Sequence, residues 1–181
     1  FKGDDGFMYK ANLNLRTCLR ILKPIHTFQA HNEKELYNNI LNIDWTKFLD
    51  VNNTFATHAT TNSEVFNHSK YASLLVKDGI ADFFRNKFDK RPNVDPSDPD
   101  ITINLHINKH TCTISLDSSG ESLHKRGYKL DTIIAPMNEV LAAGLILLSG
   151  WNKVDDFHDP LCGSGTILFE AAMIAYNIPP N

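Results

Sequence analysis

The chain has 181 residues, with 18 Lys+Arg against 21 Asp+Glu and a formal charge of −3. That balance excludes a globally basic nucleic-acid binder while leaving room for a local basic face. An apolar fraction of 42% with 11 Phe excludes wholesale disorder.

Phe7 to Arg20, with Met8, Leu13, Leu15 and Leu19, predicts a helix running into a strand, and Pro24 stops any helix there. Ile25 to Ala30 reads as a strand. Asn32 is the expected N-cap of a helix with Glu35 at its third position, burying Leu36, Tyr37, Ile40 and Leu41. Thr54 to Thr61 reads as a strand. Ser63 to Phe88 is the longest helical segment, with Ala72, Val76, Ile80, Phe83 and Phe84 on one stripe. A Pro/Asp loop follows from Arg91 to Pro99. Ile101 to Ile107 and Thr111 to Leu116 form a hairpin around Asn108-Lys109. Ser118 to Asp131 is polar and basic and reads as a linker.

Pro136 suits the first turn of the next helix, which is expected to bury Val140, Leu141, Gly144, Leu145 and Leu148 and to stop at Gly150. A short strand near Asp156 to His158, the turn Asp159 to Thr166 and a helix from Ile167 to Tyr176 complete the chain. Helix, strand, glycine turn, helix is the opening of a doubly wound α/β domain.

The turn DPLCGSGT carries the sharpest chemistry. Gly163 and Gly165 allow close backbone approach to a ligand, and Thr166 opens a helix whose N-terminal amides favour negative charge. A carboxylate at Asp159 would repel a pyrophosphate but accepts from an ammonium or hydroxyl. This suits a zwitterionic or cationic ligand such as S-adenosylmethionine (SAM). The P-loop pattern fails for want of Lys after Gly165, which disfavours an ATPase, and the dinucleotide fingerprint fails at Leu168. An ordinary tight turn packing a helix on a strand is the competing reading. Cys162 at a helix start invites a nucleophile reading, but a small buried residue under the loop is the better one. No metal site is expected: His106 and His110 straddle a hairpin turn, and three scattered cysteines without C-x-x-C suit neither zinc nor disulfides but fit a reducing, cytoplasmic setting. No apolar run reaches the roughly 18 residues of a membrane helix, so no membrane partner is expected.

His124, Lys125, Arg126 and Tyr128 form the second feature. Cations reach phosphate oxygens and Tyr can stack a base; a solvated linker is the alternative. Arg20, beside Arg16 and Lys23, and Lys70, on the polar face of the long helix, are further candidates for RNA contact.

The order YKANLNLRT, ELYNNILNIDW, FNHSKYASLLVKDGIADFFR, SLDSSGESLHKRGY, APMNEVLAAGLILLSGW and DPLCGSGTILFEAAMIA resembles the THUMP-domain RNA methyltransferases, the bacterial 23S ribosomal RNA guanine-N2 enzymes above all. The resemblance implies an α+β THUMP RNA-binding module followed by the first strand and helices of a Rossmann-type, class I SAM-dependent methyltransferase domain. It puts the THUMP and associated region at 1–117, incomplete at its start, a linker at 118–134, and the methyltransferase domain at 135–181. Asp159, Pro160, Cys162, Gly163, Ser164, Gly165 and Thr166 match the family's first cofactor motif. Ala135, Pro136, Met137 and Asn138 match the segment that approaches the cofactor. The implied substrate is 23S rRNA. The family's Asn/Asp-Pro-Pro-Tyr catalytic turn is absent, and so is the acidic residue expected for the ribose. With Phe1 in place of an initiator Met and an end at IPPN, the chain reads as cut from a longer protein. It is then expected to be inactive alone and to bind SAM weakly. The reading from a different class is a non-catalytic RNA-binding module.

Overall fold

A computed structural model describes residues 2–128 and 137–181. The proposed positions Ala135 and Pro136, and with them the proposed Pro start of a helix, lie outside the described residues. The chain divides into two compact units, one of residues 22–120 and one of residues 1–21 with 121–181.

The 22–120 unit is one mixed sheet with helices on one face. Its strands are β1 (Leu22–Gln29), β2 (Thr54–Asn62), β3 (Asn93–Val94), β4 (Ile101–Asn108) and β5 (Thr111–Asp117), in the order β1-β5-β4-β2-β3. β5 pairs antiparallel with β1 and β4, whereas β2 runs parallel to β4 and β3. The alternation of β4 puts Ile103, Leu105 and Ile107 into the core. The parallel pairing requires a crossover, supplied by the helix α3 (Ser69–Phe88). Its stripe of Ala72, Val76, Ile80 and Phe84 is buried as its spacing dictates. The helix α2 (Glu33–Leu41) buries Leu36 and Ile40, and its N-cap is the expected one: the Glu35 amide donates to Asn32 Oδ1 at 2.9 Å. Trp45, in the 3-10 turn Trp45–Lys47, completes this core with its indole N–H on the Ile40 carbonyl at 2.8 Å.

The long helix starts at Ser69 rather than Ser63. Residues 63–66 form a turn in which the Ser63 hydroxyl accepts from the Val65 and Phe66 amides. Serine competes with helical bonding in this way. The expected Pro/Asp loop contains the two-residue strand β3 on the open edge of β2.

Among the described residues, the other unit holds three helices. The helix α1 (Asp5–Asn14) is capped by Asp4 and buries no residue. The helix α4 (Glu139–Leu148) begins one residue after its N-cap, Asn138, which accepts from the Val140 and Leu141 amides at 3.0 and 3.2 Å. Its buried face is Glu139, Ala142, Ala143 and Ile146, not the expected leucines; Leu141, Leu145 and Leu148 are exposed. A helix apolar on every side carries no periodicity from which to choose a face. The helix α5 (Thr166–Ala175) buries Thr166, Glu170, Ala171 and Ile174. The strand expected at 156–158 does not form. A strand needs neighbours for its amides, and the five strands among the described residues all pair within the 22–120 unit.

Candidate cofactor turn and its supports

The DPLCGSGT turn is built as its glycines require. Gly163 and Gly165 have φ of 54° and 72°, a region that disfavours any residue with a Cβ. The Gly165 amide closes the turn on the Cys162 carbonyl at 2.8 Å. Gly165 then serves as the N-cap of α5 without a side-chain bond. The N-terminal end of α5 therefore presents backbone N–H groups with no capping side chain to compete for them. Asp159 Oδ1 accepts from the Leu161 amide at 3.1 Å, and the Ser164 and Thr166 hydroxyls lie 3.1 Å apart. Donors at a helix start beside a carboxylate fit the charge pattern of an amino-acid zwitterion. By these features the residues present suit the methionine end of SAM. Cys162 is exposed, so the expectation of a small buried residue under the loop does not hold. Met137 is exposed and lies just before the Asn138 cap.

The basic run divides by side chain. Lys125 is exposed and paired with Glu121 at 3.3 Å, and His124 Nδ1 lies 2.8 Å from the Ser122 hydroxyl. Arg126 points inward instead. Its guanidinium is fully buried, ion-paired with Glu170 and bonded to the Arg16 carbonyl. The Tyr128 hydroxyl donates to Glu170 at 2.9 Å, and its ring stacks on Phe169 with centroids 5.0 Å apart. Arg126 is thus turned away from solvent, against its reading as a surface cation, and one face of the partly exposed Tyr128 ring is taken by Phe169. Arg16 follows the same course, donating to the Met173 and Ile178 carbonyls. Burial pushes the Glu170 carboxyl up from its ordinary value, against the downward pull of Tyr128, Arg126 and Arg16. Burial and the Glu170 bond likewise push the Tyr128 phenol up. Nor is the described part of 118–134 a loose linker: the Leu123 amide donates to the Leu19 carbonyl at 2.9 Å.

Arg20 is exposed on the segment after α1. Lys70 is exposed in the first turn of α3, in the other unit. Sequence reasoning missed Glu170 and Arg16 as partners of the basic run. Their signal was faint: a lone carboxylate within an otherwise apolar helix, and an arginine between Leu15 and Thr17.

Among the described residues no group of three His, Cys, Asp or Glu could hold a metal ion, and no helix is long and apolar enough to cross a membrane.

The fold is a five-stranded α+β module followed by a helical segment that carries the glycine turn. The comparisons agree: residues 30–117 match the THUMP domain and residues 126–181 match the RMKL-like methyltransferase domain. The chain is 41% identical over 180 residues to a Synechocystis protein named "Putative RNA methyltransferase slr0064", covering 99% of this chain and 47% of that one. It superposes on a crystal structure titled as a predicted N6-adenine-specific DNA methylase from Listeria monocytogenes with a TM-score of 0.83 at 31% identity, over 98% of this chain and 47% of that one. A structure titled "SMU.472, a putative methyltransferase complexed with SAH" gives a TM-score of 0.81 at 32% identity with the same coverage. The chain therefore spans about half the length of these relatives.

Proposed function

We propose that the protein is a SAM-dependent RNA methyltransferase, acting in the cytoplasm on the N2 of a guanine in 23S rRNA. The observation that carries the reading is the glycine turn of positive φ leading into α5 without a side-chain cap, beside Asp159. In this reading the amides at the start of α5 hold the carboxylate of the cofactor's methionine end, and Asp159 accepts from its ammonium. Gly163 and Gly165 keep the backbone clear for close approach. Bound there, the cofactor supplies an activated methyl group. The THUMP module presents the RNA, with Lys125, His124, Arg20 and Lys70 as surface contacts to phosphate. In domain terms, residues 30–117 carry the THUMP domain and residues 126–181 the methyltransferase domain, with residues 1–21 in the same compact unit as 121–181 rather than with the THUMP region. The SAH complex of a relative at 32% identity and the RNA methyltransferase name of another support the cofactor and the substrate class.

The test is methyl transfer by the full-length protein, with labelled SAM offered to undermodified 23S rRNA and, separately, to duplex DNA. Label recovered as N2-methylguanine in rRNA is the expected result. Label on an adenine of DNA would overturn the substrate assignment. RNA binding with no transfer to either would leave a binding module only.

A further inference from the structure

The buried cluster under α5 is a poor device for stability alone. Arg126 and Glu170 are both wholly removed from solvent, and desolvating such a pair can cost more than its attraction returns. Two guanidinium nitrogens, Arg16 Nη1 and Arg126 Nε, are also buried without an acceptor among the described residues. A partly satisfied polar network is worse for stability than an apolar core of the same shape. What such a cluster does supply is direction.

Most of its contacts end on α5 or just after it. Glu170 lies five residues beyond Gly165, held by the Arg126 guanidinium and the Tyr128 hydroxyl. Phe169, half exposed, carries the Tyr128 ring stacked on it at 23°. A Cβ built on Gly165 would lie 3.5 Å from Phe169 Cδ2 and Cε2. Tyr128 thus stacks on Phe169, whose amide donates to the Gly165 carbonyl at 2.9 Å one turn of α5 back. At the other end of α5, Arg16 bonds the Met173 and Ile178 carbonyls, and its own carbonyl accepts from Arg126. Rotation or sliding of α5 would break bonds at both ends.

We propose that Arg126 and Tyr128 are positioning residues for the cofactor turn: through Glu170 and Phe169 they set the register and tilt of α5, and so the aim of its N-terminal amides. The proposal rests on the reading of that turn as the SAM site. A site held by donors at hydrogen-bonding distance loses much of its affinity when it is misplaced by a fraction of an ångström.

The experiment titrates S-adenosylhomocysteine (SAH) into the full-length protein by calorimetry and follows thermal unfolding of each variant in parallel. Tyr128→Leu removes both the stack and the bond, whereas Tyr128→Phe keeps the stack. The double variant Arg126→Met/Glu170→Leu replaces the ion pair by apolar groups, an exchange that can leave stability unchanged or raised. Tyr128→Leu and the double variant are each expected to weaken SAH binding about tenfold, with Tyr128→Phe within about threefold of wild type. Folded variants with wild-type affinity would overturn the proposal and leave the cluster a packing feature. If the double variant does not fold, the two Tyr128 variants decide. A wild-type protein that binds no SAH would overturn the SAM site itself, and the positioning role with it.

Discussion

Gly79 shows how one residue can look like a weakness and be a requirement. In an open helix Ala is favoured over Gly by about 1 kcal/mol. In α3, however, a Cβ at this position would fall 2.7 Å from Ile40 Cγ2 and 3.1 Å from Ile40 Cβ. Ile40 is fully buried, and its β-branched side chain has no easy alternative rotamer. Overpacking of this kind costs about 1–3 kcal/mol. Gly79→Ala is therefore expected to destabilise by about 1 kcal/mol net, read as a lower urea midpoint at unchanged m-value. A raised midpoint would show that α2 and α3 have room to separate.

At the scale of elements, α2 and α3 are joined by a bond from the Tyr37 hydroxyl to Asp82 Oδ2 at 2.7 Å, with Arg85 on the other carboxylate oxygen at 2.8 Å. The Tyr37 bond, with the Arg85 bond and charge behind it, holds the Asp82 carboxyl below its ordinary range. A depressed folded-state value means that the ionised form is favoured by folding. The stabilisation is then present above the unfolded value of about 3.9 and disappears as pH falls through the lower folded value. The carboxylate is about a third exposed, so solvent screening limits its worth. Tyr37→Phe is expected to cost about 1 kcal/mol at pH 7. The gap between the thermal melts of the two proteins should close as pH falls through the lowered Asp82 value, and a gap unchanged across the acid range would assign the loss to packing rather than to the charged bond.

At the scale of the molecule, the unit of residues 1–21 and 121–181 exposes a row of apolar side chains along α4. Leu141, Leu145 and Leu148 are 54%, 47% and 86% exposed. Contiguous apolar surface of this kind promotes association. The 181-residue chain alone is expected to self-associate with rising concentration in sedimentation velocity, and Leu145→Glu to reduce it. Identical profiles for the two would clear this row of any part in association. The proposed RNA surface has its own signature. Lys125→Ala in the full-length protein should weaken RNA binding and lower the slope of log K against log salt by about one. An unchanged slope would remove Lys125 from the interface.

Local chemistry made much of the 22–120 unit legible in the sequence. The Asn32 cap, the α3 stripe and the alternation of β4 are set by neighbours a few residues away, and each fell where its spacing put it. The positive φ at Gly163 and Gly165 is likewise a local demand that the residue type announces. Three matters were decided only by tertiary structure. The apolar helices α4 and α5 carry leucines outward and the carboxylates Glu139 and Glu170 inward, because hydrophobic patterning is silent when every face is apolar. The strand expected at 156–158 did not form, because a strand is defined by partners rather than by its own residues. Arg126, read as a surface cation, is buried because Glu170, 44 residues away, is its partner. The composition of a segment names the charges it carries, but the chain that packs against it decides which of them meet solvent.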